Sequence, residues 1–128
     1  METVVHNPTD RIYAPVGDYV HALEVRDPAR FLFVAGTIGL DPSGIPGATV
    51  VDQLALIWSN IRAILASADM TVDNIVRVTS YLGDAGYAGE NGAARSAALG
   101  GRFVPTTAIV AGTLISDWLI EIEVIAAG

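Results

Sequence analysis

The chain has 128 residues, long enough to bury a core without staples, and it has no cysteine, which excludes thiolate catalysis, disulfides and sulfur-ligated zinc. All seven basic residues are arginine, so Schiff-base chemistry at a lysine side chain is excluded too. A net charge of −7 argues against nucleic acid as a partner, because that affinity rests on phosphate neutralisation by a basic surface.

Met1–Asp10 is polar around Thr3-Val4-Val5 and fits either a first edge strand or a loose arm. Arg11–Asp18, with Pro15 and Gly17, reads as a loop. Tyr19–Val25 and Phe31–Ala35 read as strands, and the turn around Asp27-Pro28 between them predicts an antiparallel hairpin. Gly36 follows as a point of close approach or a bulge, and Asp41-Pro42-Ser43-Gly44 is a turn.

Val50–Ser67 is the clearest helix: Leu54, Ile57, Trp58, Ile61 and Leu65 form one apolar stripe, with Thr49 as N-cap and Asp52 in the first turn. Ile75–Leu82 alternates as a strand, with Val76, Val78, Ser80 and Leu82 on one face and Ile75, Arg77, Thr79 and Tyr81 on the other. A second helix falls within Tyr87–Leu99; Gly89 and Gly92 weaken it, so its start is expected near Glu90–Gly92. Thr106–Ala111 and Trp118–Ala126 are the last strands.

This order predicts an α+β sandwich, with both helices on one face of a largely antiparallel or mixed sheet. In the last strand Ile120, Ile122 and Val124 alternate with Glu121 and Glu123. Carboxylates do not belong under helices, so that second face must meet solvent, a polar pocket or another subunit. A hydrophobic fraction of 52% and a mean hydropathy of +0.47 are high for a lone subunit and point to surfaces shared between copies. No apolar run approaches the roughly 20 residues of a membrane span. The first residues do not follow the basic-then-apolar order of a signal peptide. The expectation is a single cytoplasmic domain over residues 1–128 with no membrane partner.

Val16-Gly17-Asp18-Tyr19-Val20, Val34-Ala35-Gly36-Thr37-Ile38 with its following turn, Gln53 with Asn60–Leu65, Asp73–Arg77 and Ile120–Ala126 together resemble the RidA family, also called YjgF/YER057c/UK114. The resemblance runs from about Arg11 to Ala126. It implies a chorismate-mutase-like fold, a homotrimer and a small-molecule site between subunits that hydrolyses reactive enamines or imines without a cofactor or metal. Carried over by position, the water-placing glutamate is Glu121, and the substrate-binding positions are Tyr19, Gly36, Asn91 and Thr107. At Thr107 the family has a carboxylate-binding arginine. A neutral hydroxyl cannot replace a bidentate, charged fork, so the usual small 2-imino acids are not the expected substrates.

Each residue has a plainer reading. Glu121 fits an ion pair with Arg77, Glu123 a surface or interface charge, and Tyr19 a contact between subunits. Thr107 is also an ordinary strand residue. His6 and His21 stand fifteen residues apart without cysteine, a poor start for a metal site. Three functions follow: an enamine or imine hydrolase, a metabolite-binding protein that uses the same cleft without turnover, and, disfavoured by charge, a ribonuclease.

Overall fold

The computed structural model describes residues 1–128. The strands are β1 (Glu2–His6), β2 (Ala22–Arg26), β3 (Phe31–Ile38), β4 (Ile75–Leu82), β5 (Thr106–Val110) and β6 (Ile120–Ala127). The helices are α1 (Val50–Ser67) and α2 (Ala88–Ala98). A four-stranded mixed sheet runs in the order β3-β6-β4-β5, with β4 and β5 parallel and the other neighbours antiparallel. Both helices cover one face, as the sequence predicts.

The core lies between α1 and the sheet. Leu54, Ile57, Trp58, Ile61 and Leu65 of α1 meet Ile120, Ile122, Val124 and Ala126 of β6 and Ile75, Val78 and Leu82 of β4. Thr49 caps α1 by accepting from the Asp52 amide at 3.1 Å. The helix ends where Asp69 takes a left-handed φ of 53° and Met70 N–H reaches back to the Leu65 carbonyl.

Three expectations are corrected. The predicted hairpin does not form: β2 pairs with β1, and β3 pairs with β6. The polar residues of β2 find partners on β1, where Glu24 meets His6 at 2.7 Å and Arg26 meets Glu2 at 3.6 Å. The apolar alternation of β3 instead matches that of β6, so both bury one face under the helices. Second, Ile75 is buried with Val78 rather than facing away with Arg77. A register irregularity between Ile75 and Arg77 shifts the alternation by one residue. Third, α2 begins at Ala88, ahead of both glycines. A 3₁₀ turn over Ala85–Tyr87 leads into it, held by the Asp84 carboxylate accepting from the Gly86 amide at 2.7 Å. Gly89 therefore falls in the first turn, not in the helix interior where its cost would be paid in full.

Two side-chain amides, Gln53 buried and Asn60 half-buried, hold the segment after β3 against α1. Asn60 donates to the carbonyls of Ile38 and Leu40 at 3.1 and 3.0 Å. Gln53 is more central: it donates to the carbonyls of Gly47 and Asp117 at 3.0 and 2.8 Å and accepts from the Leu119 amide at 2.9 Å. Gly39 permits this approach, since a Cβ there would lie 2.6 Å from the Gln53 backbone. Gln53→Leu removes the side-chain partner of those three main-chain groups. It is expected to destabilise the protein by about 3 kcal/mol, read as a lower urea midpoint at an unchanged slope.

Candidate functional site

The sheet face away from the helices is open. β3 places Phe31 and Phe33 there, 51% and 74% exposed, with ring centroids 6.2 Å apart. Ile125 lies opposite Phe33 on β6, and Ile109 on β5 is 47% exposed. Among these apolar groups stand Glu121 and Glu123 of β6, Arg77, Thr79 and Tyr81 of β4, and Thr107 of β5. Strand alternation sends their neighbours Ile120, Ile122, Val78 and Ser80 into the interior.

Gly36 and Glu121 come together toward the β3 edge. The β3–β6 register shifts between Val34 and Thr37, and Glu121 pairs with Ile38 just beyond. The Glu121 side chain lies across the Gly36 backbone, so a Cβ at residue 36 would be 2.6 Å from the Glu121 carboxyl carbon. Any larger residue there must displace the carboxylate. The bulge and the close approach are thus one feature. A cavity of about 650 Å³ adjoins it, lined in part by Ala35, Gly36, Asp41 and Asn60.

The other predicted residues lie toward the opposite edge but on different sides of the sheet, Thr107 on the open face and Asn91 on the helix side. Thr107 on β5 accepts from Arg77 Nη2 at 3.1 Å. Arg77 therefore makes no ion pair with Glu121. Tyr19 lies in the segment before β2, edge-on to His21 at 5.9 Å, and Val20 N–H bonds the Val104 carbonyl just ahead of β5. Asn91 on α2 is 1% exposed, its side-chain oxygen has no partner, and it lines a cavity of about 440 Å³ with Asp18, Arg95 and Ala108. Asp18 is fixed there by Arg95 at 2.5 Å and by the Ser96 hydroxyl at 3.1 Å.

One chain thus carries two groups of candidate residues at opposite sides of the sheet. Three strand spacings separate β3 from β5, about 14 Å. Tyr19, Asn91 and Thr107 stand at one edge, Gly36 and Glu121 toward the other. A further groove of about 490 Å³ lies between α1 and α2, lined by alanines and Trp58, and none of the predicted site residues reaches it.

Glu123 has a partner that sequence reasoning missed. The Tyr81 hydroxyl donates to its Oε1 at 2.5 Å. Strand alternation puts Tyr81 on this face, but only the β4–β6 register, which sets Tyr81 opposite Glu121 and Thr79 opposite Glu123, brings it between the two carboxylates. The hydrogen bond to Glu123, then burial and the charges of Glu123 and Glu121, raise the Tyr81 pKa above the ordinary 10.0. A raised folded-state pKa adds stability that is complete below the unfolded value and lost as pH rises through the folded one. In an ultraviolet titration, one of the four tyrosines is expected to ionise late, and Glu123→Gln to return it toward the rest. An unchanged profile in that variant would show that the bond does not form in solution.

The profile of the endoribonuclease L-PSP family matches residues 9–128. A RutC family protein of Pyrococcus horikoshii is 33% identical over 131 aligned positions, which span 92% of this chain and 93% of that one. A Rid-family protein of unknown function from Yersinia pestis superposes with a TM-score of 0.83 at 24% identity over the whole of both chains. A YjgF/YER057c/UK114-family protein from Mycobacterium tuberculosis gives 0.68 at 27% identity over 86% of each.

Proposed function

The chain belongs to the endoribonuclease L-PSP family, the RidA group of proteins, and from that membership we propose that it is a homotrimeric hydrolase whose subunits share a cleft acting on a reactive enamine or imine. The observation that carries this reading is the division of the candidate residues. Glu121 lies over Gly36 on one side of an open, partly apolar sheet face, while Thr107, Tyr19 and Asn91 stand at the far edge. A ring of copies meeting head to tail brings the β3 side of one against the β5 edge of the next. Three identical clefts result, and the exposed phenylalanines are covered.

In such a cleft Glu121 accepts a proton from water as the water oxygen attacks the imine carbon. The C=N π electrons pass to nitrogen, which takes up a proton. The carbinolamine then collapses to a carbonyl compound and ammonia, so the net change is addition of one water. General-base assistance of this kind contributes about 10²–10⁴-fold to a rate. Tyr19 packs on the substrate, and the backbone at Gly36 contacts its polar end. Thr107 sets the expected substrates apart from the usual 2-imino acids of the family.

The test is ammonia release by purified protein from a panel of enamines and imines, neutral ones included. Release above the uncatalysed rate supports the hydrolase. A second reading, a metabolite-binding protein of the same fold, is favoured by the missing arginine at residue 107. Ligand-induced melting shifts without product would establish it instead.

The family's description names an RNA-cleaving activity. In this chain His6 is held by Glu24 on the β1–β2 ribbon and His21 by the Tyr13 carbonyl, so the two form no acid–base pair. With a net charge of −7, phosphate neutralisation has little to draw on.

A further inference from the structure

Helix α2 carries two glycines that neither its backbone nor its packing requires. Gly89 and Gly92 do not have a left-handed φ. A Cβ on Gly89 would meet nothing within 4 Å, and one on Gly92 only Arg95 Nη2 and Asp18 Oδ2, each at an ordinary 4.0 Å. Alanine fits at both positions and favours a helix, so what glycine adds there is room. The two lie three residues apart, on one side of α2, and both line the cavity of about 440 Å³ beside Asn91.

Asn91, between them in sequence, is 1% exposed, and its Oδ1 accepts no hydrogen bond. An amide oxygen left so in the folded chain forfeits the bond it keeps with water when unfolded. A donor seated in the cavity restores it. The rest of the wall sets the charge of that donor. Both oxygens of Asp18 are engaged, Oδ1 by Arg95 and Oδ2 by the Ser96 hydroxyl, and the Asp18–Arg95 pair balances its own charge. Leu82, Ala93 and Ala108 add apolar surface. Ala108 follows Thr107 on β5, and strand alternation turns it to the helix side, so the cavity lies behind the sheet from the open face.

We infer that this cavity is a second small-molecule site, separate from the open-face cleft, and that its ligand is uncharged and carries an N–H beside a carbonyl, as a lactam, a primary amide or a urea does. The N–H donates to Asn91 Oδ1 and the carbonyl accepts from Asn91 Nδ2, since a carboxamide sets an acceptor and a donor side by side. The site uses neither Glu121 nor Thr107, so it stands independently of the hydrolase reading.

The test is an NMR titration of the isotope-labelled protein with 2-piperidinone and with its N-methyl analogue, which has no N–H to give. Shifts are expected along α2 and at the Asp18 segment, with the lactam bound about tenfold more tightly than the analogue. Asn91→Leu is expected to weaken lactam binding about tenfold without lowering the melting temperature, because the oxygen it removes has no partner to lose. Gly92→Leu is expected to fill the cavity and abolish binding, with a melting temperature at or above that of the wild type. This second variant keeps the test decisive if Asn91→Leu does not fold. Equal binding of lactam and analogue, shifts centred on Glu121, or wild-type affinity in either variant overturns the inference. A lactam that shifts nothing does so too, and leaves a pocket filled by water alone. The hydrolase reading fails separately, through absence of ammonia release from every imine tested.

Discussion

Glu121→Gln is expected to lower the turnover number for imine hydrolysis by about 100-fold or more while leaving assembly and melting temperature close to wild type. Glutamine keeps the shape of the side chain over Gly36, and it still hydrogen-bonds water. It cannot accept a proton at neutral pH. Because Glu121 makes no ion pair in the chain, its loss leaves no buried charge uncompensated, and stability is not the route to the defect. The measurement is steady-state ammonia release alongside a melting curve. Full activity in this variant would remove Glu121 from the chemistry, whatever the oligomeric state.

Phe33→Asp is expected to have a comparable effect by another route. Phe33 is 74% exposed and stands beside Phe31 and opposite Ile125, outside the buried core. Burying a phenylalanine side chain contributes about 1.5–3 kcal/mol, and a trimer does so once per subunit. A carboxylate in its place must be desolvated at each contact. The expected product is a folded single chain of 13.4 kDa rather than an assembly of three times that mass, with turnover lost because no cleft is complete. Light scattering coupled to size exclusion reads the mass, and circular dichroism checks the fold. An unfolded variant would place Phe33 in the core, and an intact trimer would place the interface elsewhere.

Much of the fold is legible in the sequence, for local reasons. The α1 stripe, its Thr49 cap and the Asp41–Gly44 turn depend on residues a few positions apart, and the structure shows each of them. Alternation in β6 separates Ile120 and Ile122 from Glu121 and Glu123 for the same reason. Strand pairing is not local. The short Arg26–Arg30 connection suits a hairpin, but pairing is decided by what each strand offers over its full length, and β3 and β6 match each other. Register irregularities are equally hard to read: the one near Val76 returns Ile75 to the core with no glycine or proline to announce it.

The site is legible in part. Gly36 and Glu121, far apart in sequence, come into contact. The fate of Arg77 is not visible from its own strand, where an ion pair with Glu121 looks reasonable. The parallel β4–β5 pairing brings Thr107 within reach, and the hydroxyl takes the guanidinium instead. Tyr81 and Glu123 likewise meet only through the cross-strand register.

Mixing two inactive variants tests the shared cleft most directly. Glu121→Gln disables one side of the sheet, and Thr107→Trp fills the other with a bulky ring. When equal amounts are unfolded together and reassembled at random, three-quarters of the trimers are mixed, and one cleft in three of each mixed trimer combines an intact Glu121 with an intact Thr107. Recovery of about a quarter of wild-type activity is therefore expected for a head-to-tail ring. If every cleft lies within one chain, the mixture stays as inactive as its two components.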